Sequence, residues 1–149
     1  MTTAFISSAP GRLCLFGEHQ DYLGLPVIAM AMNRRCTLHF SPIQDSRVEV
    51  ASAALGPLAE YDLNHPDEMS VELPMGMALR SMLQEFGTPV GPGWRVWIES
   101  TIPLRAGCSS STALLTAWTA AWLKIFNGGF DVNDVVKRCH RYEVTDYNG

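Results

Sequence analysis

Glu18, His19, Asp21 and Tyr22 crowd into five positions directly after an apolar run, between Gly17 and Gly24. Carboxylates accept hydrogen bonds from hydroxyls, and an imidazole donates or accepts. Such a cluster suits a small polar ligand. It also suits a solvated turn with a capping Asp. Arg12 stands just upstream, either a cation facing that ligand or a surface arginine paired with a nearby acid. A second segment runs Ile102-Pro103-Leu104-Arg105-Ala106-Gly107-Cys108-Ser109-Ser110-Ser111-Thr112-Ala113. Small residues at Ala106-Gly107 let the backbone approach a ligand closely. Four hydroxyl residues, Ser109 to Thr112, follow where a long helix begins. A helix start offers unpaired N–H groups and the positive end of the dipole, which together favour phosphate. Serine hydroxyls add hydrogen bonds, and one can ligate Mg²⁺. An ordinary Ser N-cap needs only one of the four. No GKS, GKT or GxGxxG is present, so the common P-loop and dinucleotide fingerprints are excluded.

The elements that must hold these segments are legible in the hydrophobic pattern. Phe5–Ala9 and Leu13–Phe16 read as short strands separated by the turn signal Pro10-Gly11. Val27–Met32 is a further apolar run, and Cys36–Phe40 and Arg47–Ala51 alternate as strands do. The stretch from Leu55 to Pro74, with Pro57 and Pro66, reads as a loop or a short edge strand. Met75, Leu79, Met82, Leu83 and Phe86 form one helical stripe, ended by Gly87-Thr88-Pro89. Trp94–Ser100 is a strand with Trp94, Val96 and Ile98 on one side and Arg95, Trp97 and Glu99 on the other. Ser109–Asn127 has a single charged residue, Lys124, and is expected to be a buried helix closed by Gly128-Gly129. Asp131 should cap a last helix reaching Val144, with Val132, Val135, Val136 and Cys139 inward. This order of strands and helices suggests an α+β fold, with no linker dividing residues 1–149.

Composition removes several function classes. The 149 residues carry 11 basic and 15 acidic side chains, a net charge of −4. A nucleic-acid groove usually needs a basic face, so no nucleic-acid partner is expected. No apolar run approaches the roughly 18 residues of a membrane span, and Met1–Pro10 lacks a signal-peptide pattern. A cytoplasmic protein with no membrane partner is therefore expected. Cys14, Cys36, Cys108 and Cys139 form no CxxC pair and read as reduced thiols. His and Cys lack the ligand spacing of a structural zinc site.

The two chemistry-bearing segments, in this order and spacing, resemble the signature motifs of the GHMP small-molecule kinases. The residues from Gly11 to Tyr22 are similar to the galactokinase signature, G-R-x-N, an aliphatic residue, then I-G-E-H-x-D-Y, with Cys14 for Asn and Phe16 for Ile. The residues from Ile102 to Ala113 are similar to the phosphate-binding motif P-x-x-x-G-L-S-S-S, with Cys108 for Leu and Arg105 where a small residue is usual. The chain is thus identified as a galactokinase-like member of that family. The resemblance implies a mostly antiparallel sheet backed by helices, the N-terminal domain of the GHMP kinase fold (ribosomal protein S5 domain 2-like). It implies ATP and Mg²⁺ as cofactors and a sugar as acceptor, galactose at its C1 hydroxyl. Glu18, His19 and Asp21 would contact sugar hydroxyls, and Arg12 would lie beside the reacting hydroxyl. Gly107, Ser109, Ser110 and Ser111 would wrap the ATP phosphates, with Ser111 matching the Mg²⁺-ligating serine. The family's catalytic Asp and its cleft-closing C-terminal half are expected beyond Gly149. Two other readings remain: a family member acting on a uronic acid, arabinose or a heptose phosphate, and a non-catalytic sugar sensor.

Overall fold

The alternating segments around Val48, Val50, Val96 and Ile98 become the middle of a five-stranded sheet. A computed structural model describes residues 3–18, 20, 23–103 and 106–146. Its strands are β1 (Phe5–Phe16), β2 (Ile28–Ile43), β3 (Arg47–Ser52), β4 (Gly56–Asp62) and β5 (Gly93–Ser100), in the spatial order β1-β2-β5-β3-β4. Every neighbouring pair is antiparallel except β3 with β5. That parallel pair needs a long crossover, which contains β4 and the helix α1 (Pro74–Phe86). The helices α2 (Ser110–Asn127) and α3 (Val132–His140) complete the layer on the same face. The fold is therefore α+β, a mixed, mostly antiparallel sheet backed by three helices, as expected.

The period-2 pattern explains which face is covered. Leu38 and Phe40 of β2, Val48 and Val50 of β3, and Trp94, Val96 and Ile98 of β5 all point into the core. Helix α1 answers with Met75, Leu79, Met82 and Leu83. Helix α2 supplies Leu115, Trp118, Trp122 and Leu123. Trp118 sits at the hub, its ring 6.1 Å from Phe40, 6.4 Å from Tyr61 and 5.8 Å from Trp122. The opposite face of the sheet is polar, with ion pairs Arg95–Glu49 at 2.8 Å and Arg47–Glu60 at 2.6 Å. All four cysteines are free thiols. Burial pushes Cys36 up to about 11, so it packs as a small protonated group.

Three local expectations are corrected. Pro10-Gly11 is not a turn: β1 runs through it with a register shift between Pro10 and Arg12. β1 is an edge strand, where a proline without an N–H is tolerated. Val27–Met32 and Cys36–Phe40 fall largely in one strand that starts at Ile28: Arg35 pairs with Pro10 and Ala31 with Arg12, and residues 32–34 bulge between them without breaking the strand. The Leu55–Pro74 stretch holds a short edge strand, β4, as expected, followed by a 3-10 turn, Pro66–Glu68. Val132 and Val136 face solvent, and of the named α3 positions only Val135 and Cys139 turn inward. Asp131 does cap α3, its side chain accepting from the Asn133 N–H at 3.0 Å. The helix then widens into a π-helical turn, Arg141–Asp146.

Candidate active site

Two segments about ninety residues apart in sequence meet because one of them lacks a side chain. A Cβ on Gly11 would lie 2.9 Å from the Cys108 carbonyl oxygen and 3.3 Å from Ile102. Glycine there lets β1 abut the loop ahead of α2, and the Arg12 N–H donates to the Cys108 carbonyl at 3.1 Å. Downstream, Gly17 adopts φ +86°, and a Cβ on it would press on the Pro26 carbonyl at 2.8 Å. The chain turns sharply there, with the Gln20 N–H donating to the Gly17 carbonyl at 2.9 Å. That turn brings Glu18 back over β1, where Arg12 Nη1 donates to Glu18 Oε2 at 3.3 Å. The paired-arginine alternative is thus realised, with one expected site residue as the partner of another. Both groups are about half exposed. His19 and Asp21 lie outside the described residues, as does Arg105.

The loop before α2 is built to present backbone. Gly107 has φ +66° with open space where a Cβ would go. Ser109 has φ 53° and ψ 46°, a left-handed conformation that costs a non-glycine residue about 1–2 kcal/mol. It makes no side-chain cap, so the ordinary Ser N-cap is not what this residue does. The helix's hydrogen-bond ladder starts with the Ala113 N–H on the Ser109 carbonyl at 3.0 Å. The amides of Ser110, Ser111 and Thr112 therefore lie ahead of the ladder, at the positive end of α2. Arg12, Glu18 and residues 106–112 line one open cleft of about 310 Å³. Strain of this kind marks places where surrounding structure holds a working geometry.

A residue with no role in the sequence analysis stands beside this cleft. Glu143, in the π-helical turn, accepts from Ser111 Oγ at 3.1 Å and from Thr112 Oγ1 at 3.0 Å. A signal for it exists in the sequence: Val135, Cys139 and Glu143 recur every fourth residue, so the carboxylate continues the line of side chains facing α2. A carboxylate with a serine hydroxyl is a hard oxygen-donor pair, and its chemistry fits Mg²⁺. A second cavity, about 260 Å³, opens behind the start of α2. Leu55, Leu58, Ile98 and Leu114 give it apolar walls, and Ser110 and Ser111 form its border with the loop. Cys14, where the signature has Asn, donates its thiol to the Phe16 carbonyl at 3.1 Å. Lost solvation, with the Glu18 carboxylate beside it, raises its pKa, so it stays a neutral thiol.

A helix start whose first amides lie ahead of its hydrogen-bond ladder stands beside a polar turn, both carried on the mixed sheet of an α+β domain. Residues 72–149 match the family model described as "GHMP kinases N terminal domain", and residues 2–42 match the "Galactokinase galactose-binding signature". The chain belongs to the GHMP kinase family. It is 30% identical over 139 residues to a mevalonate kinase of Archaeoglobus fulgidus, covering 93% of this chain and 44% of that protein. It is 29% identical over 122 residues to the galactokinase of Homo sapiens, covering 74% of this chain and 30% of that protein. The chain thus spans less than half the length of these relatives. The galactose-complexed galactokinase of Lactococcus lactis superposes with a TM-score of 0.77 at 27% identity, over 97% of this chain and 38% of that one. The Methanococcus jannaschii mevalonate kinase shares the fold with a TM-score of 0.80 at 22% identity, over 95% of this chain and 46% of that one. No helix among the described residues is long and apolar enough to cross a membrane.

Proposed function

We propose that this protein transfers the γ-phosphoryl group of ATP to a sugar hydroxyl, with galactose at its C1 hydroxyl as the acceptor, and that residues 1–149 serve as its N-terminal domain. The observation that carries this reading is the single cleft shared by Arg12, Glu18 and the loop 106–112. Phosphoryl transfer asks mainly for positioning and charge stabilisation. The Ser110, Ser111 and Thr112 amides receive phosphate oxygens, and Gly107 lets them approach. The apolar cavity behind Ser110 takes the adenine base. Arg12 faces the transferring group and offsets its charge. Ser111 and Glu143 hold Mg²⁺, which when bound draws negative charge from the phosphates. Glu18 keeps Arg12 in place and accepts from a sugar hydroxyl, and the signature match extends sugar contacts to His19 and Asp21.

Acceptor choice follows from charge. Arg12 is already paired with Glu18, so the turn offers a balanced pair and hydrogen-bond acceptors. That suits a polyhydroxyl better than a carboxylate such as mevalonate. The test offers the full-length protein ATP and Mg²⁺ with galactose, arabinose, a uronic acid, a heptose phosphate and mevalonate, and follows ADP release. Galactose is expected to be turned over fastest, giving the 1-phosphate. Turnover of mevalonate alone would overturn the sugar reading, and turnover confined to an acidic or phosphorylated sugar would overturn galactose. Binding of galactose and ATP with no ADP released would support the sensor. A companion variant, Glu18→Ala, removes a charged hydrogen-bond partner worth about 1–3 kcal/mol. Calorimetry should show galactose affinity reduced about 5- to 150-fold, with ATP affinity nearly intact. Unchanged sugar affinity would remove Glu18 from the acceptor site.

A further inference from the structure

Glu143 lies in a widened helix turn, and an arginine outside the cleft ties down the helix that leads into it. Arg138 of α3 is held by several partners at once. Its Nη1 and Nη2 donate side by side to Oε2 and Oε1 of Glu85 at the end of α1, both at 2.7 Å. Its Nε donates to both oxygens of Asp134 one turn back, at 3.0 and 3.1 Å. Its guanidinium carbon lies 5.1 Å from the centre of the Phe86 ring. Its Nη1 also reaches the Tyr142 hydroxyl at 3.5 Å. Tyr142 is fully buried and directly precedes Glu143.

This arrangement has a direction. α1 is fastened to the sheet by Met75, Leu79, Met82 and Leu83. The bidentate pair transfers that fixed position to α3, and Tyr142 transfers it one residue further. A two-pronged guanidinium–carboxylate contact fixes orientation as well as distance. Hydrogen bonding to Arg138 holds the Glu85 carboxyl below its usual range, so the pair stays ionised at neutral pH. α3 has only nine residues, and a π turn is a costly, local departure from the α-helix. Without that pair α3 loses its tie to α1, and with it the restraint on where Glu143 stands against Ser111.

We infer that Arg138 is a positioning residue, holding the π-helical turn so that the Glu143 carboxylate stays against Ser111 and Thr112 for the metal-bound nucleotide. This rests on the kinase reading of the cleft, and its readout is metal binding, separate from turnover. The probe is Mn²⁺ with ADP, titrated into the full-length protein and followed by the electron paramagnetic resonance of free Mn²⁺. Losing an outer-shell partner typically costs 10–100-fold in metal affinity. Arg138→Gln is expected to weaken Mn²⁺ binding about tenfold and to leave metal-free ADP binding unchanged. In a Glu143→Gln background the same substitution should have no further effect on Mn²⁺. Glu85→Gln, which loosens the anchor and keeps the arginine, should shift Mn²⁺ binding in the same direction, and it serves if Arg138→Gln fails to fold. If both variants only lower the melting temperature and Mn²⁺ binding is unchanged while Glu143→Gln weakens it, the positioning role is overturned and the cleft reading stands. If Glu143→Gln itself leaves Mn²⁺ binding unchanged, the metal reading of the cleft falls and the positioning role falls with it.

Discussion

Glu143→Gln in the full-length protein is expected to slow phosphoryl transfer by about 10²-fold or more, the scale of losing one preorganised electrostatic group at a reaction centre. The substitution keeps the shape and one acceptor oxygen for the Ser111 and Thr112 hydroxyls. It removes the charge, so a large effect would be electrostatic. The Mg²⁺ concentration for half-maximal rate should rise along with it. Ser111→Ala should act in the same direction and more weakly, because it deletes a neutral ligand. The measurement is initial rate against Mg²⁺ at saturating ATP and acceptor. A Glu143→Gln variant with an unaltered Mg²⁺ profile would remove this residue from the metal site.

Trp118→Ala is expected to bring the largest loss of stability. Trp118 has no exposed surface and joins β2 through Phe40, β4 through Tyr61 and its own helix through Trp122. Removing such a ring costs about 3–5 kcal/mol, lost burial plus the cavity left behind. Domains have only about 5–15 kcal/mol in total, so much of the margin would go. Urea unfolding followed by fluorescence should show an earlier midpoint with a similar slope. A loss below about 1 kcal/mol, the centre of ordinary substitutions, would mean that the core closes around the gap. α2 both carries Trp118 and begins at Ser110, so loosening this hub should also reach the loop 106–109 ahead of it.

Much of this architecture is readable from local pattern, because local pattern is what formed it. β3 and β5 alternate cleanly since each has one face in the core and one in water. The stripe of α1 and the near-absence of charge in α2 announce burial directly. Gly107 and the run Ser109–Ser111 are legible as the start of α2 for a similar reason: small and hydroxyl residues stand together in sequence where the loop turns into the helix. What escaped the sequence depends on distant partners. Pro10-Gly11 carries every local mark of a turn, yet Gly11 is small because Cys108 packs on it. Asn33–Arg35 looks like a break, yet Arg35 pairs with Pro10 and sends its Nε–H to Ser8. Val132 and Val136 look like core, yet α3 is turned so that Arg138 and Val135 face inward. Glu143 meets hydroxyls 31 and 32 positions earlier; the four-residue spacing from Val135 and Cys139 tells which way it faces and not what it meets.

The π-helical turn also bears on how this segment should be compared with others. Such a turn accommodates one residue more than an α-helix over the same rise. Deleting a single residue between Arg138 and Glu143 would let the helix close up and swing the carboxylate by about 100° around the axis. The amphipathic pattern of α3 would survive, so the deletion would look harmless on paper. A homologue one residue shorter here would therefore have to bring its acid from a neighbouring position. An alignment that slides a gap through residues 141–146 would then pair the wrong side chains. Superposition on the start of α2, where Ser111 and Thr112 stay in view, is the safer guide to which carboxylate corresponds to Glu143.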